Sequence, residues 1–166
     1  MVRLLVTYME RITLPDGPAL QPPTETLTIA GERPSVDDYL RLYRAVGTPL
    51  QWDEHTRAAK ERLAAFLSNS STAIYILRDT GKPVGLCVFA GIDERSVELK
   101  YFGLIPEAQG RGLGPYLLDW SLRSIWSHGT KRIWLHTDTN DHPKAKATYL
   151  RNGFNIYAEN WDEFAD

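Results

Sequence analysis

The stretch "PEAQGRGLGPYLLDW", residues 106–120, sets Gly110, Gly112 and Gly114 at alternate positions and follows them with Pro115 and an apolar run. The preceding "SVELKYFGLI" (96–105) is rich in β-branched and aromatic residues and reads as a strand. The following "PYLLDWSLRSIWSHG" (115–129) reads as a helix closed by Gly129. A loop leaving a strand and entering a helix aims several free backbone N–H groups at one point, where the positive end of the helix dipole also lies. That makes an anion site. Alternate glycines admit positive φ and let a phosphate approach the backbone, while Pro115 at the helix start gives up a donor that would have no intrahelical partner. Two phosphate loops fail on spelling. A nucleoside-triphosphate loop requires Lys and then Ser or Thr where Pro115 and Tyr116 stand, and the dinucleotide fingerprint requires a glycine at 115. An ordinary glycine-rich turn is the plain alternative.

Working outward, "VRLLVTYMERITL" predicts a first strand that ends at "PDGP", and "QPPTETLTIAGERP" is a connector with room for a short strand. "SVDDYLRLYRAVG" predicts a helix capped by Ser35 and closed by Gly47, and "DEHTRAAKERLAAFLSNS" a second one with Leu63, Phe66 and Leu67 on one face. "TAIYILRD" and "PVGLCVFAGI" form a hairpin turning at Gly81. "RIWLHTDT" is a strand, "PKAKATYLRN" a helix closed by Gly153, and "FNIYAE" a short last strand. The order is strand, helix, helix, three strands, helix, strand, helix, strand, without internal repeats. Hairpins mixed with strand-helix-strand units predict one α/β domain over 1–166 with a mixed sheet.

Composition narrows the partners. The net charge of -2 gives no long-range pull toward nucleic acid or anionic membrane, so a small molecule is the natural ligand. The single Cys87 lies in an apolar run, which excludes a disulfide framework and fits a reducing cytoplasm. No segment has the apolar length of a membrane span, and the N-terminus does not read as a signal peptide.

The spelling Gln109-x-x-Gly112-x-Gly114 resembles the GCN5-related N-acetyltransferase (GNAT) family, and "KATYLRNGF" resembles that family's late helix, with Tyr149 four residues before Gly153-Phe154. The similarity runs from about Thr72 to Phe154. It implies a mixed, mostly antiparallel twisted sheet flanked by about four helices, and transfer of an acetyl group from acetyl-coenzyme A to an amine. By that resemblance Gln109, Gly110, Arg111, Gly112, Leu113 and Gly114 hold the pyrophosphate, and the backbone N–H groups of Phe102 and Leu104, on a strand splayed from its neighbour, bind the acyl carbonyl and pantetheine. Tyr149 is implied as the acid that protonates the sulfur, and Glu98 as the base. Glu98, alternating with Lys100, also suits a plain solvent-facing strand. His142 stands where many relatives have asparagine and is a second candidate base, or simply a helix-entry residue beside Pro143. Tyr39, Tyr43 and Trp52, with Asp53, lie where relatives build the acceptor pocket, and an aromatic wall beside a carboxylate would suit a cationic amine; core packing is the blander account.

His128 before Gly129 reads as a helix-end cation, and His55 and His136 have no partner at ligand spacing, so no metal is expected. Only twelve residues follow Phe154, which is short for a closing hairpin and leaves a sheet edge that a second copy could complete. Catalysis and non-catalytic binding of an acyl-coenzyme A both fit the loop. The acceptor is not legible.

Overall fold

Ala73 to Leu77 and Val84 to Phe89 are buried at every position, as expected of strands covered on both faces. They lie near the middle of a seven-stranded sheet in the computed structural model, which describes residues 2–164. The elements are β1 (Val2–Arg11), β2 (Leu27–Gly31), α1 (Val36–Gly47), α2 (Glu54–Arg57), α3 (Lys60–Ser68), β3 (Thr72–Asp79), β4 (Lys82–Ala90), β5 (Ser96–Leu104), α4 (Leu113–Trp126), β6 (Arg132–Asp138), α5 (Ala145–Arg151) and β7 (Asn155–Phe164). The sheet order is β2-β3-β4-β5-β6-β1-β7. Every neighbouring pair is antiparallel except β5 and β6.

One layer of helices covers each face. Ser35 starts α1 by accepting the Asp38 N–H at 3.1 Å, and Tyr39, Leu42, Tyr43 and Val46 recur on its buried side. On the opposite face α4 buries Leu117, Leu118, Leu122 and Ile125. Cys87 lies under this helix beside Ser121, fully buried, and burial pushes its thiol up to about 12, so it packs as an inert small hydrophobe.

Four details differ from the sequence expectation. The expected second helix breaks in two because Ala58 and Ala59 are extended (ψ 146 and 141), despite their high helix propensity. The break lets His55 turn in against α1 while Leu63 and Leu67 reach the core. The helix after the glycines begins at Leu113 rather than Pro115, so the proline is its third residue, still among the positions without an intrahelical acceptor. The short strand for which the connector had room does form, as β2, and adds an element to the expected order ahead of the first helix. Finally, the sheet does not end in a short hairpin. β7 runs for ten residues and pairs with β1 from Val2↔Phe164 to Glu10↔Asn155, and β1 in turn pairs with β6 from Val6↔Asp138 to Arg11↔Ile133. The first strand therefore lies between the last two.

His55 is 5% exposed, its Nδ1 2.8 Å from the Tyr39 hydroxyl and its ring packed at tilted angles among Tyr43, Phe66 and Tyr101. Burial drives its pKa from 6.5 down to about 4, against the pull of Glu54. The unfolded chain thus binds a proton that the folded one refuses between these values. Stability is full above pH 6.5 and falls toward pH 4, by up to about 1.4 kcal/mol per pH unit. Urea unfolding across this window should show that loss, and His55→Gln should remove it.

Candidate active site

The parallel contact between β5 and β6 is short. It consists of Ser96↔Arg132, Val97↔Ile133 and Glu98↔Trp134, after which β5 follows β4 and β6 follows β1. A shift in the β4–β5 register leaves Lys100 as the extra residue between Leu99 and Tyr101, a bulge of the kind that bends and twists a strand. Beyond Glu98 the two strands diverge and a wedge opens through the sheet. Since Ile105 donates to Val84, alternation along β5 sends the N–H groups of Tyr101 and Gly103 to β4, and those of Phe102 and Leu104 into the wedge.

A cleft of about 1030 Å³ fills the wedge. On the side of α4 and α5 it is lined by Phe102, Leu104, Gly112, Gly114 and Tyr149; on the other by Trp52, Lys100, Tyr101, His136 and Asp138. Gly110 (φ 77) and Gly112 (φ 75) occupy the left-handed region, and no amide from 110 to 114 donates to a backbone acceptor among the described residues. α4 has no side-chain cap. A Cβ at Gly110 would meet nothing within 4 Å and one at Gly112 only the edge of Pro23 at 4.0 Å, so the space beside the free donors is open. Loop, dipole and space together suit a pyrophosphate.

Side chains tie the walls together across the opening. Gln109 donates to the Leu104 carbonyl at 3.5 Å, and its Oε1 meets His142 Nε2 at 3.1 Å. His142 Nδ1 accepts the Lys144 N–H at 3.1 Å, which fixes the ring as the Nε2–H tautomer. Asp141 accepts from Thr137, the Asp138 N–H and Trp52 Nε1 (3.3 Å), joining the loop before α2 to the loop after β6. Gln51, held at φ 61, accepts from Asn140 at 3.4 Å. Trp52 lies flat over Gly47 and reaches Gly103.

The electrostatics differ between the two sides. Tyr149 is 6% exposed, its ring 5.8 Å from those of Phe102 and Phe154, and burial raises its hydroxyl well above the ordinary phenol range. It keeps its proton at neutral pH. On the other side Glu54 is pulled up by burial, but Lys100 at 3.2 Å outweighs that and holds its carboxyl below the usual value. Asp138 is raised, first by burial and then by Asp141. The buried Tyr101 hydroxyl lies near Tyr43 and Glu54 without meeting either at hydrogen-bond geometry.

A family model described as "Acetyltransferase (GNAT) family" matches residues 37–154. The chain belongs to the GNAT acetyltransferase family. An uncharacterized N-acetyltransferase of Mycobacterium tuberculosis is 30% identical over 95 residues, which are 57% of this chain and 60% of that relative. Among solved structures, a GCN5-related N-acetyltransferase from Sphaerobacter thermophilus superposes with a TM-score of 0.66 at 20% identity, over 95% of this chain and 50% of that one. An aminoglycoside acetyltransferase from an uncultured soil metagenomic sample superposes with a TM-score of 0.64 at 14% identity, over 76% of this chain and 87% of that one. These two establish the fold, and the GNAT chain spans about half to two thirds of the length of its first-named relatives.

Of the residues singled out from the sequence, Phe102, Leu104, Gln109, Gly110, Gly112, Leu113, Gly114, His142, Tyr149 and Trp52 line the cleft of this GNAT protein. Arg111 turns away and pairs with Asp79 at 3.1 Å on the β3–β4 hairpin. Glu98 is not among the lining residues, and Tyr39 and Tyr43, at 1% and 0% exposure, are core, with only Tyr43 reaching the cleft floor. Sequence reasoning passed over His136, Asp138 and Asp141. Their signal was the polar run "HTDTNDH", which reads as an ordinary strand-to-helix loop until the pairing of β6 is known. Among the described residues no group of three or more His, Cys, Asp or Glu side chains could hold a metal ion, and no helix is long and apolar enough to cross a membrane.

Because a Cβ at Gly47 would stand 2.5 Å from the Trp52 indole, Gly47→Ala must unseat that ring. The expected result is a loss of about 1–3 kcal/mol in urea unfolding together with a shift in tryptophan emission.

Proposed function

We propose that this GNAT protein transfers an acetyl group from acetyl-coenzyme A to a primary amine by direct attack. The observation that carries the proposal is the wedge. It presents unpaired strand donors and an uncapped, glycine-lined helix start on one line, and it opens on both faces of the sheet. A thioester threaded from the α4 side would meet an amine arriving from the other, with no need for a covalent enzyme intermediate.

In this scheme the free amides of 110–114 hold the pyrophosphate, with Gln109 and His142 bracing the loop against the wedge. Those of Phe102 and Leu104 hold the pantetheine and the acyl oxygen, where negative charge develops during attack. Tyr149 protonates the departing sulfur. His142 has its lone pair committed to Lys144 and serves as a brace rather than as the base. The side of the cleft built from Trp52, Asp53 and Tyr101 receives the acceptor. Non-catalytic binding of an acyl-coenzyme A would use the same loop but leaves the buried, proton-bearing Tyr149 without a task.

Calorimetry with acetyl-coenzyme A should give binding in the wild type and its loss in Gly112→Trp, which fills the open space and strains φ 75. Tyr149→Phe should keep that affinity and lower kcat by roughly 10²-fold in a thiol-release assay. A binding module would retain affinity in Tyr149→Phe and release no thiol with any amine. Absence of binding to the folded wild type would refute both readings.

A further inference from the structure

The proton that must leave an ammonium acceptor has no recipient in the scheme above. Glu98 occupies the last paired rung of β5 and β6, its side chain 22% exposed and set behind the cleft wall. His136, two residues beyond the Glu98 partner Trp134 and on the same face of β6, does line the cleft, and its side chain is 51% exposed. His136 Nε2 lies 4.0 Å from Glu98 Oε2. The imidazole therefore stands between the carboxylate and the cleft. The ring also lies beside Tyr8 of β1, with centroids 5.9 Å apart.

We propose that His136 takes the proton of the acceptor amine, with Glu98 as a positioning residue that orients the ring from behind. The inference rests on the acetyl-transfer reading. His136 accepts one proton from the ammonium and passes it to bulk water through its exposed edge. The freed amine lone pair forms the N–C bond as the C–S bond breaks and its electron pair moves to sulfur. Tyr149 gives the sulfur a proton, and the second proton lost by the nitrogen restores the phenol through water. Amine and thioester become amide and thiol, with one proton released overall.

The charged and titratable groups around the ring are few. Glu98 faces it from β5, Tyr8 from β1 with Tyr157 of β7 behind, and Asp138 from β6 itself, with the Arg132–Glu10 pair further along the same row. On the same side of the cleft Lys100, Glu54 and Arg57 also line it, Lys100 and Glu54 as an ion pair. Of these, Glu98 is the carboxylate that reaches the ring from β5, at 4.0 Å.

The test uses the full chain as wild type, His136→Gln, Glu98→Gln and Glu98→Asp. Thiol release is read against pH with a polyamine, an aminoglycoside and a free α-amino acid, and acetyl-coenzyme A affinity is measured in parallel. His136→Gln should keep that affinity, lose roughly 10²-fold in kcat/KM at neutral pH and lose the acid limb of the profile. An aromatic amine, already neutral at the assay pH, should recover most of the rate. Glu98→Gln should lower kcat while leaving KM for the amine near its wild-type value, and Glu98→Asp should restore part of the loss. Nitrogen NMR of the His136 ring, which needs no acceptor, should show a changed tautomer balance in Glu98→Gln. An unaltered profile in His136→Gln would overturn the proposal, and so would loss of the limb in Glu98→Gln alone, or a His136 ring signal indifferent to Glu98→Gln. A wild type that binds no acetyl-coenzyme A would instead remove the functional reading, and this inference with it.

Discussion

The site depends on two strands that run parallel for three residues and then part. β5 stays with β4 as far as Leu104 and β6 with β1 as far as Asp138, so where these two pairs diverge their facing edges separate. The Lys100 bulge adds local twist at the place where separation begins. Backbone donors buried without partners are costly, so a gap of this kind persists only where water or a ligand can serve them. The wedge is a fault in the sheet whose edges remain chemically available.

An opening of that kind must also be kept from closing or widening. Gln109 and His142 span it at the glycine loop, and Trp52, Asp141, Gln51 and Asn140 span it at the opposite end. Asp141 is the hub of the second group, since one carboxylate receives the Thr137 hydroxyl and the Asp138 N–H from β6 and the Trp52 indole N–H from the α1–α2 connection. These bonds bridge elements that sheet pairing leaves apart. Their geometry explains why an exposed loop holds Gln51 at a positive φ and why Trp52 is pressed onto two glycines.

Local chemistry was legible in the sequence, and global pairing was not. The loop at Gly110 to Gly114 could be read because its requirements, free amides, positive φ and a helix start, are all met within a few residues. Glu98 looked like the cleft carboxylate because strand alternation cannot say which neighbour stands in front of it; that is decided by β6, more than thirty residues later. Tyr39 and Tyr43 have an aromatic spacing that serves an acceptor wall or a core equally well; both are buried around His55, and Tyr43 also reaches the cleft. The break at Ala58–Ala59 opposes every local preference and follows from where His55 and Leu63 must both go.

The placement of β1 carries a consequence for how the molecule comes into being. Its partners are Arg132 to Asp138 and Asn155 to Phe164, the most distant segments in the chain. β1 thus leaves the ribosome well before either of its partner strands, and its hydrogen-bonding edges must wait for them. Closing so long a loop costs entropy before any contact repays it, which slows assembly of this half of the sheet. The β2–β5 half, built from sequential hairpins, has no such delay. The wedge falls on the seam between an early-forming half and a late one, so the cleft exists only after both halves have met.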